Sequence, residues 1–582
     1  MTISFTCRQA VTLVRVLIEH MGSDPVFFGV QLSRRLPRSV STAVGKRLAR
    51  IPTPVCRIAG RWLTGDAAGA EKGLRQQLES DETNGVAARI CGEFALSLRM
   101  GNSAASFAER MKSPESGRSL RARVAWQAGD MNKAIAIAER GRLHSRLTSE
   151  RTIFEPGWMP ALPARLPRLN VPDADVLHIL TNSLPHTQSG YTLRSHAVLK
   201  SLRSRSVNVF SGTRTGYPVS VGRFSWRDRD SVDGITYVRD VPWNQGRTAE
   251  ERLQKQAEFT AALAVGSNAE VLHTTTHFVN GVAVRAAAKR LDLPWVYEVR
   301  GVLEETWAAS AGSLPERYAA RESERFRLFR ARETEIALEA DRIVTLGTSM
   351  ARELTSRGIP EDRILVAPNA VSHGLLSRDI SRTPGKVREE NGLPSAGTWV
   401  GTAASIVGYE GLDVLIDSVV EARQEGSDIR LLIVGDGTEL SSLIQRAEPL
   451  KDAVVFAGRL PQKRAHELIT ALDIFAVPRR DDPVCSLVTP LKPVEAAGLA
   501  RPVMMSDLPA LLEALPPEAR SAIPAGAVHD WAEELSRLAG NEDERVEMGR
   551  AGRRYVERHR TWEAVGNRYA EMYAALGVGG LK

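Results

Sequence analysis

The sequence predicts an α/β protein with two parallel-sheet domains in series, preceded by an all-α region. Three observations lead to this prediction. Short apolar runs alternate with helical segments from residue 176 onward, the pattern starts again with a new first strand at Gly401, and a Pro-rich stretch (155–175) separates both from a helical N-terminal region (1–154). Apolar runs separated by helices are typical of a parallel sheet that is covered on both faces.

The length and composition narrow the class of protein. At 582 residues the chain is too long for a single core, and 43% hydrophobic with 25% charged residues is ordinary for a soluble globular protein. Charged residues interrupt the N-terminal segment, so we expect neither a signal peptide nor a spanning helix there, and we expect a cytoplasmic protein. Four scattered cysteines without a CxxC pair favour a reducing compartment and argue against a disulfide framework or a zinc site: Cys7, Cys56, Cys91 and Cys485.

The positive charge is concentrated at the N-terminal end. Residues 1–170 contain 26 Lys and Arg against 14 Asp and Glu, whereas the whole chain has a net charge of +8. A basic end on a mildly acidic body suggests an anionic partner, with membrane lipid headgroups as one candidate and an ordinary solvated surface as the alternative. Nucleic acid is the weaker candidate, because few aromatic residues, such as Phe27 and Phe28, are interleaved with the basic ones.

Residues 1–154 have the apolar spacing of helices. Segment 11–21 places five apolar residues on one helical face. Segments 100–110 and 127–140 resemble each other, each with a Gly-polar turn, small apolar residues at helical spacing and a final Ala-Glu-Arg. The region is therefore either an ordinary helical domain or a set of degenerate helical repeats.

The first parallel-sheet domain is predicted over residues 176–385. It begins with the strand VLHIL (176–180), a polar loop that ends at Gly190, and a helix. Such a loop before a helix N-terminus is a natural site for a phosphate or a sugar. Further strand–helix units follow, including one long charged helix over roughly 315–340, and a polar, loop-like segment near 372–396 joins the two domains.

The second parallel-sheet domain is predicted over residues 386–560, followed by a C-terminal helix (561–582) that we expect to cross back to the first. Stretch 430–506 contains the short apolar runs LLIV, VVFAG, IFAVP and PVMM, which alternate with helical segments. Ligands of such sheets bind at the carboxyl ends of the strands. Glu495 opens a helix after a strand and a Pro-rich turn, where its carboxylate can accept hydrogen bonds from a ligand, although the helix dipole alone also favours Glu at a helix start.

Seven motifs occur in one order: SLPHTQSGYTLRSHAVLKSL, VYEVRG, RILVAPNAV, IVGYEGLDVLIDSV, LLIVGDGTEL, VVFAGRL and TPLKPVEAAGLARPV. Together they resemble the retaining glycosyltransferases of family 4 over about residues 174–577. The YEG and TPLKPVE forms are similar to the branch that builds capsule, exopolysaccharide and O-antigen chains. The resemblance implies a GT-B fold of two Rossmann-like domains, the first for the acceptor and the second for the nucleotide sugar.

The resemblance further implies a metal-independent hexosyltransferase. It would move a sugar, with retention of configuration, from a UDP- or GDP-sugar to a lipid-linked or polysaccharide glycan, without a cofactor. The basic N-terminal region would hold the enzyme at the inner face of the plasma membrane. The alternative is a non-catalytic protein of the same fold that binds glycans or nucleotide sugars and uses its helical region as an interaction module.

The family pattern assigns donor-binding roles to several residues. The matching Glu is Glu495, which would bind the ribose. The family places Arg and Lys for the diphosphate at positions that Ser405 and Glu410 occupy here, so Lys492 is the preferred substitute and Arg479 or Arg480 the next. The remaining predicted donor-binding residues lie in loops that follow strands: Ser405 itself, Gly435, Gly437 and Arg459.

The predicted catalytic residues are Ser486, Glu298 and Arg300. The family's donor-sugar Glu falls at Ser486, whose hydroxyl can bond a sugar but supplies no charge to an oxocarbenium-like transition state, and Asp481 or Asp482 is expected to compensate. Glu298 and Arg300 lie in VYEVRG. We expect these two on opposite faces of the strand, one at the substrate and one buried in an ion pair.

The predicted acceptor residues are Gly190, His273 and Asn369. His273 and His277 are interpreted as polar loop residues without metal-ligand spacing. Asn369 either contacts the substrate or makes the turn at the start of the crossing between the domains.

Overall fold

The computed structural model describes residues 2–23, 38–80, 85–111 and 114–579. Phe27 and Phe28, weighed above as nucleic-acid contacts, lie outside the described residues. The chain divides into two compact units. Residues 1–187, 210–297 and 303–340 form the first, and residues 188–209, 298–302 and 341–582 form the second.

In the N-terminal part of the first unit, the described residues up to Thr152 are mostly helical. Its helices within the described ranges are α1 (Thr2–Ser23), α2 (Arg38–Ala49), α3 (Pro54–Thr64), α4 (Ala67–Glu79), α5 (Gly85–Ser97), α6 (Gly101–Glu109), α7 (Pro114–Ala128), α8 (Met131–Ala138) and α9 (Arg142–Thr152). From α2 onward many of them pack against their sequence neighbours, and the apolar faces of α3 to α7 enclose a core that includes Leu74, Phe107 and Leu120. The two similar segments noted above, 100–110 and 127–140, contain α6 and α8.

The first sheet contains eight strands: β1 (Val176–Leu180), β2 (Val209–Thr213), β3 (Arg229–Val232), β4 (Ile235–Val238), β5 (Val271–Thr275), β6 (Trp295–Val299), β7 (Arg342–Thr345) and β8 (Ile364–Val366). Their order is β3-β4-β2-β1-β5-β6-β7-β8. β1 pairs in parallel with β5, β2 with β4 and β7 with β8, whereas β3 is antiparallel to β4. β1, β5 and β6 are buried along their whole length, which is why they lack polar–apolar alternation.

The second sheet contains six strands: β9 (Thr398–Ala403), β10 (Ile429–Val434), β11 (Val454–Gly458), β12 (Ile474–Val477), β13 (Val503–Ser506) and β14 (Arg520–Ile523). Their order is β11-β10-β9-β12-β13-β14, and all of these pairings are parallel. Leu432 and Val434 of β10 face one apolar core, and Leu431 and Ile433 face another. The sheet is therefore covered on both faces, as its apolar runs predict.

Helices connect the strands. They are α10 (Gly190–Arg203), α11 (Ala249–Ser267), α12 (Phe278–Leu291), α13 (Leu303–Ala309), α14 (Leu314–Arg321), α15 (Glu324–Glu339), α16 (Thr348–Ser356), α17 (His373–Leu376), α18 (Pro384–Glu390), α19 (Leu412–Gln424), α20 (Leu440–Arg446), α21 (Gln462–Thr470), α22 (Pro483–Leu487), α23 (Lys492–Gly498), α24 (Pro509–Leu512), α25 (Val528–Ala539), α26 (Glu542–His559) and α27 (Trp562–Ala575). Among the helices in the described ranges, none combines the length and the apolar character that crossing a membrane requires.

The charged helix expected over 315–340 is in fact two helices. α14 ends at Arg321 and α15 begins at Glu324. The Ser323 side chain accepts a hydrogen bond from Phe326 N at 3.3 Å and so caps α15. Ser323 is surrounded by charged residues in the sequence, so the pattern did not indicate that a second helix begins after it.

The last helix, α27, packs against α10. Ser201 Oγ donates to Trp562 O at 2.6 Å, and Arg205 Nε donates to Asn567 Oδ1 at 2.7 Å. Just before α27, Thr561 forms an isolated parallel bridge with Val371. These contacts tie the C-terminal end of the second unit to the helix that follows β1 in the sequence.

Candidate functional site

The loops that follow β9 and β10 lie against each other at the carboxyl end of the second sheet. Ile406 N donates to Asp436 O at 3.1 Å. Gly435 has φ +151°, and a Cβ on Gly435 or Gly437 would collide with the carbonyl oxygen of Ala404 or of Ile406. The two glycines therefore allow the loop backbones to approach closely, and their contact with a donor stays a prediction.

Gly435→Ala is expected to lower the free energy of unfolding by about 1–3 kcal/mol, because alanine at this φ is strained and its Cβ has no space. Urea unfolding followed by circular dichroism measures the change. Gly540→Ala is the matched control, since its Cβ would meet Arg537 O only at 3.7 Å, an ordinary contact. Equal midpoints for the two variants would contradict the packing role.

Glu495 is the fourth residue of α23 and faces α21. His466 Nε2 lies 3.0 Å from Glu495 Oε1, and Gln462 Nε2 donates to the same oxygen at 3.4 Å. The Glu495 side chain is 16% exposed. Its second oxygen, Oε2, has no hydrogen-bond partner in the part of the chain that the structure describes. The carboxylate is thus oriented through one oxygen and open to a ligand through the other.

Glu410, Lys492 and Arg479 form a charge cluster beside this helix. Glu410 Oε1 lies 2.9 Å from Lys492 Nζ and 3.1 Å from Arg479 Nη2. Although burial alone would raise the pKa of Glu410, the two cations lower it to about 2. Burial lowers the pKa of Lys492, and the attraction of Glu410 opposes this shift. With all three groups ionised, the cluster has a net charge of +1.

Lys492 and Arg479 differ in their access to a ligand. The Lys492 side chain is 22% exposed. Arg479 is buried, and its guanidinium donates to Glu410 through Nε and Nη2 and to Val488 O through Nη1 at 3.2 Å. Arg479, predicted as a diphosphate contact, therefore lies in the interior and positions Glu410. Lys492 is the cation of this cluster that a ligand can reach.

Ser486 lies in the short helix α22, next to two carboxylates. Ser486 Oγ donates to Asp481 Oδ1 at 3.4 Å. Asp482 is buried, and its Oδ1 accepts a hydrogen bond from Val484 N at 3.1 Å, which caps α22. Of the two carboxylates expected to compensate for the serine, Asp481 is therefore the exposed one, and Asp482 is engaged by the helix.

Glu298 and Arg300 are both buried and pair with each other, Arg300 Nη2 lying 2.7 Å from Glu298 Oε2. Arg194 Nε donates to Glu298 Oε1 at 2.8 Å, and Tyr569 OH donates to it at 3.0 Å. The expectation of opposite faces was wrong, because residues two positions apart along a strand share a face. The position of this network in the interior indicates that it stabilises the second unit.

Asn369 and Gly190 occupy different environments. Asn369 Nδ2 donates to Thr489 O at 3.0 Å, and its Oδ1 accepts from Arg194 Nη1 at 3.3 Å, so both ends of the buried amide are used within the unit. Gly190 is the exposed first residue of α10, with open space where a Cβ would be. Of these two predicted acceptor contacts, Gly190 is the accessible one.

His273 is not a loop residue. It lies in the middle of β5, fully buried, and its ring stacks on His178 of β1 at 4.4 Å, because the two residues are register partners in the parallel pair. His277 precedes α12 and accepts a hydrogen bond from Val279 N through Nδ1 at 3.3 Å. Burial lowers the pKa of His277 to about 3. The interpretation as a polar loop residue was wrong for His273, which offers no atom to a surface acceptor, whereas His277 does lie in the short loop between β5 and α12.

Ser405 and Arg459 remain predicted donor contacts. Both are exposed and follow strands β9 and β11 at the carboxyl end of the second sheet. Neither side chain has a hydrogen-bond or ion-pair partner among the residues that the structure describes. They are accessible to a ligand.

His466 and Gln462 were not predicted, although they orient the central carboxylate. Both lie on α21, four residues apart in QKRAHELI, and this spacing places them on one helical face. The sequence pattern that could have indicated their role is a pair of polar residues on the inward face of a helix between two apolar strands. This pattern is weak evidence, because the sequence does not show which residues the helix packs against.

Two family models match the chain, and together they cover more than half of it. The model described as "Glycosyl transferase 4-like domain" matches residues 189–370, and that described as "Glycosyl transferases group 1" matches residues 397–541. The first match contains Glu298, and the second contains Glu410 and Glu495.

Curated relatives match over parts of their length. A GDP-mannose-dependent monoacylated alpha-(1-6)-phosphatidylinositol monomannoside mannosyltransferase of Corynebacterium glutamicum is 30% identical over 183 residues, which are 31% of this chain and 48% of the relative. A D-inositol 3-phosphate glycosyltransferase of Segniliparus rotundus is 27% identical over 259 residues, which are 43% of this chain and 55% of the relative. The chain thus spans about half the length of these relatives.

Solved structures show the same fold at low identity. Anabaena HepE, solved in complex with UDP-glucose, has a TM-score of 0.53 with 14% identity, and the match covers 69% of this chain and 99% of HepE. Two mostly parallel sheets with helices between the strands, a helical N-terminal region and both family matches agree with one another. The chain belongs to the glycosyltransferases with a GT-B fold.

Proposed function

We propose that this protein is a retaining, metal-independent glycosyltransferase of cell-surface polysaccharide synthesis. It moves a hexosyl group from a UDP- or GDP-sugar to a lipid-linked or polysaccharide glycan at the inner face of the plasma membrane. The observation that carries this proposal is the Glu495 carboxylate, which α21 holds through one oxygen while the other oxygen is open, three residues after the accessible Lys492.

Glu495 binds the ribose of the donor in this proposal. A carboxylate only accepts hydrogen bonds, and each of the two ribose hydroxyls can donate one to it. Hydrogen bonds to a charged group contribute about 1.5–3 kcal/mol each. His466 and Gln462 fix the carboxylate before the donor arrives, so less conformational freedom is lost on binding.

Lys492 binds the diphosphate. Glu410 lies where the family pattern has a cation, yet Lys492 and Arg479 outnumber it, and the cluster keeps a net positive charge. Glu410 holds the Lys492 ammonium in place, and the N–H donors that it leaves are available to phosphate oxygens. The cation is thus supplied from the first turn of α23 and not from the loop after β9 that the family pattern uses.

The transfer step breaks the bond between the anomeric carbon and the diphosphate and forms a bond from that carbon to the acceptor oxygen on the same face. Positive charge develops on the sugar ring, and Asp481 beside Ser486 stabilises it. Lys492 stabilises the negative charge on the departing diphosphate. The acceptor proton leaves with the diphosphate.

The activity of the Corynebacterium glutamicum relative, as its name gives it, supports the choice of substrates. That enzyme depends on GDP-mannose and acts on a phosphatidylinositol monomannoside, which is a lipid-linked glycan. We extend the class of donor and acceptor, a nucleotide sugar and a lipid-linked glycan, to this chain.

Lys492→Met is expected to raise the KM for the donor by roughly ten-fold or more, because one charge-assisted contact to the diphosphate is lost. Steady-state kinetics with the active donor measure the change. Lys386→Met, which removes an exposed lysine from α18, is the control and should leave KM unchanged. Equal KM values for both variants and wild type would show that the diphosphate lies elsewhere.

The function is tested by incubating the protein with a panel of UDP- and GDP-sugars and a lipid extract, and measuring nucleoside diphosphate release and labelled lipid-linked glycan. We expect transfer from one donor, an unchanged rate in EDTA, and a product anomer identical to that of the donor by NMR. Donor binding without release or transfer would favour the non-catalytic alternative, and an inverted product would contradict retention.

A further inference from the structure

Three aromatic side chains of the first unit are exposed on two loops. Phe224 is 53% exposed and Trp226 79% in the loop before β3, and Trp243 is 51% exposed in the loop after β4. A single exposed aromatic residue is ordinary, whereas several on adjacent loops indicate an interaction surface. None of them belongs to the candidate donor site described above.

The N-terminal helix α1 joins these two loops. Gln9 Nε2 donates to Ser225 O at 2.6 Å and Ser225 N donates to Gln9 Oε1 at 2.9 Å. Farther along the same helix, Arg15 Nη1 donates to Trp243 O at 2.5 Å. Six residues of helix rise by about 9 Å, so α1 holds the Phe224–Trp226 segment and Trp243 side by side on one surface.

The exposure of Phe224 and Trp226 follows from the way Ser225 is anchored. Ser225 lies between them, is buried, and is bound to Gln9 through both its N–H and its C=O. In the same helix as Gln9, Phe5 packs against Val219 and Val241 in a small buried cluster. The backbone is fixed at the serine, and its two aromatic neighbours remain directed to solvent.

The charges around the aromatic side chains are predominantly positive. Arg223 and Arg227 directly flank the Phe-Ser-Trp segment, are exposed, and have no ion-pair partner among the described residues. Arg247, close to Trp243 in the chain, is also exposed and has no ion-pair partner within the described ranges. Asp228 is the acidic residue closest to the aromatic segment in the chain, and it lies 3.7 Å from Arg229.

We propose that this surface, consisting of residues 221–227 and 242–247 and joined by α1, binds the headgroup layer of an anionic lipid membrane. Tryptophan rings prefer the boundary between headgroups and acyl chains, and unpaired arginines are attracted to anionic lipids. Exposed aliphatic side chains at Val14 and Val221 favour a lipid layer over nucleic-acid bases, because aliphatic side chains give bases no ring to stack on. The membrane contact lies on folded loops as well as in the basic N-terminal segment.

The aromatic part is tested by flotation of the full-length protein with vesicles of phosphatidylcholine alone and with 30% phosphatidylglycerol. Trp226→Ser/Trp243→Ser is expected to raise the lipid concentration for half-maximal binding by roughly ten-fold. Tyr318→Ser, which removes a 66% exposed aromatic residue from α14, is the matched control and should bind like wild type. Unchanged flotation of the double variant would overturn the proposal.

A second readout does not depend on loss of binding. Tryptophan fluorescence should be quenched by brominated anionic lipid, and Trp226→Phe/Trp243→Phe should remove most of this quenching while the vesicles still bind.

Arg223→Gln/Arg227→Gln should abolish the preference for phosphatidylglycerol. Equal binding to neutral vesicles, quenching that persists in the Phe variant, or stronger binding to single-stranded RNA than to vesicles would each contradict a lipid surface. None of these measurements requires sugar transfer, so they test membrane binding independently of the proposed activity.

Discussion

Replacing Glu495 with alanine is expected to lower kcat/KM for the sugar donor by roughly 10²–10³-fold. The variant loses two hydrogen bonds from ribose hydroxyls to a charged acceptor, which at the lower end of their usual strength together contribute about 3–4 kcal/mol. The folded state should be little affected, since only two hydrogen bonds are lost, those to the buried His466 and the partly exposed Gln462. Steady-state kinetics with the active donor give the ratio.

Two further variants separate the ribose role from a general effect on the helix packing. Glu495→Gln keeps the size of the side chain and should lose most of the activity, because an amide presents only one acceptor. Glu467→Gln removes the neighbouring carboxylate of α21, which pairs with Arg464 at 2.9 Å on the surface, and should retain wild-type activity. Comparable losses in Glu467→Gln and Glu495→Ala would show that the effect comes from α21 and not from donor binding.

Replacing Glu298 with alanine is expected to lower the free energy of unfolding by about 3–5 kcal/mol. Glu298 is the shared acceptor of Arg194, Arg300 and Tyr569, and its removal leaves two buried guanidinium groups without their anion. Urea unfolding at neutral pH measures the change. Glu547→Ala, which removes one partner of an exposed pair with Arg554, should leave the free energy of unfolding almost unchanged.

This experiment also decides between the two roles considered for Glu298. A catalytic residue would lower kcat while the unfolding midpoint stays near wild type. A stabilising residue lowers the midpoint, and the fraction that remains folded keeps its kcat. The buried network predicts the second result, and the first would restore Glu298 and Arg300 as catalytic candidates.

Much of the fold could be predicted from local sequence patterns. Apolar runs such as VLHIL, LLIV and IFAV became buried parallel strands, because strands covered on both faces need apolar residues at every position. The boundary between α14 and α15 was missed, because a single capping serine lies in a continuous charged segment. The β5 strand was partly misread as a loop, since its histidine and threonines are polar although they are buried.

The candidate site was predictable to a smaller extent. The position of Glu495 follows from a motif within one segment, and so does its proximity to Lys492. The pairing of Lys492 with Glu410 and the burial of Arg479 depend on which loops meet at the end of the sheet, and this information is not local. The mutual pairing of Glu298 and Arg300, by contrast, was available from strand geometry and was misjudged.

The central claim is that Glu495 and Lys492 bind a nucleotide-sugar donor, and the most direct measurement is a thermal-shift screen of UDP-, GDP- and ADP-sugars. A donor present at a hundred times its Kd stabilises the folded state by about 2.7 kcal/mol and raises Tm. We expect at least one UDP- or GDP-sugar to raise the Tm of the wild type, and the same sugar to leave Glu495→Gln unchanged. A panel in which no nucleotide sugar raises the Tm of the wild type would contradict the account.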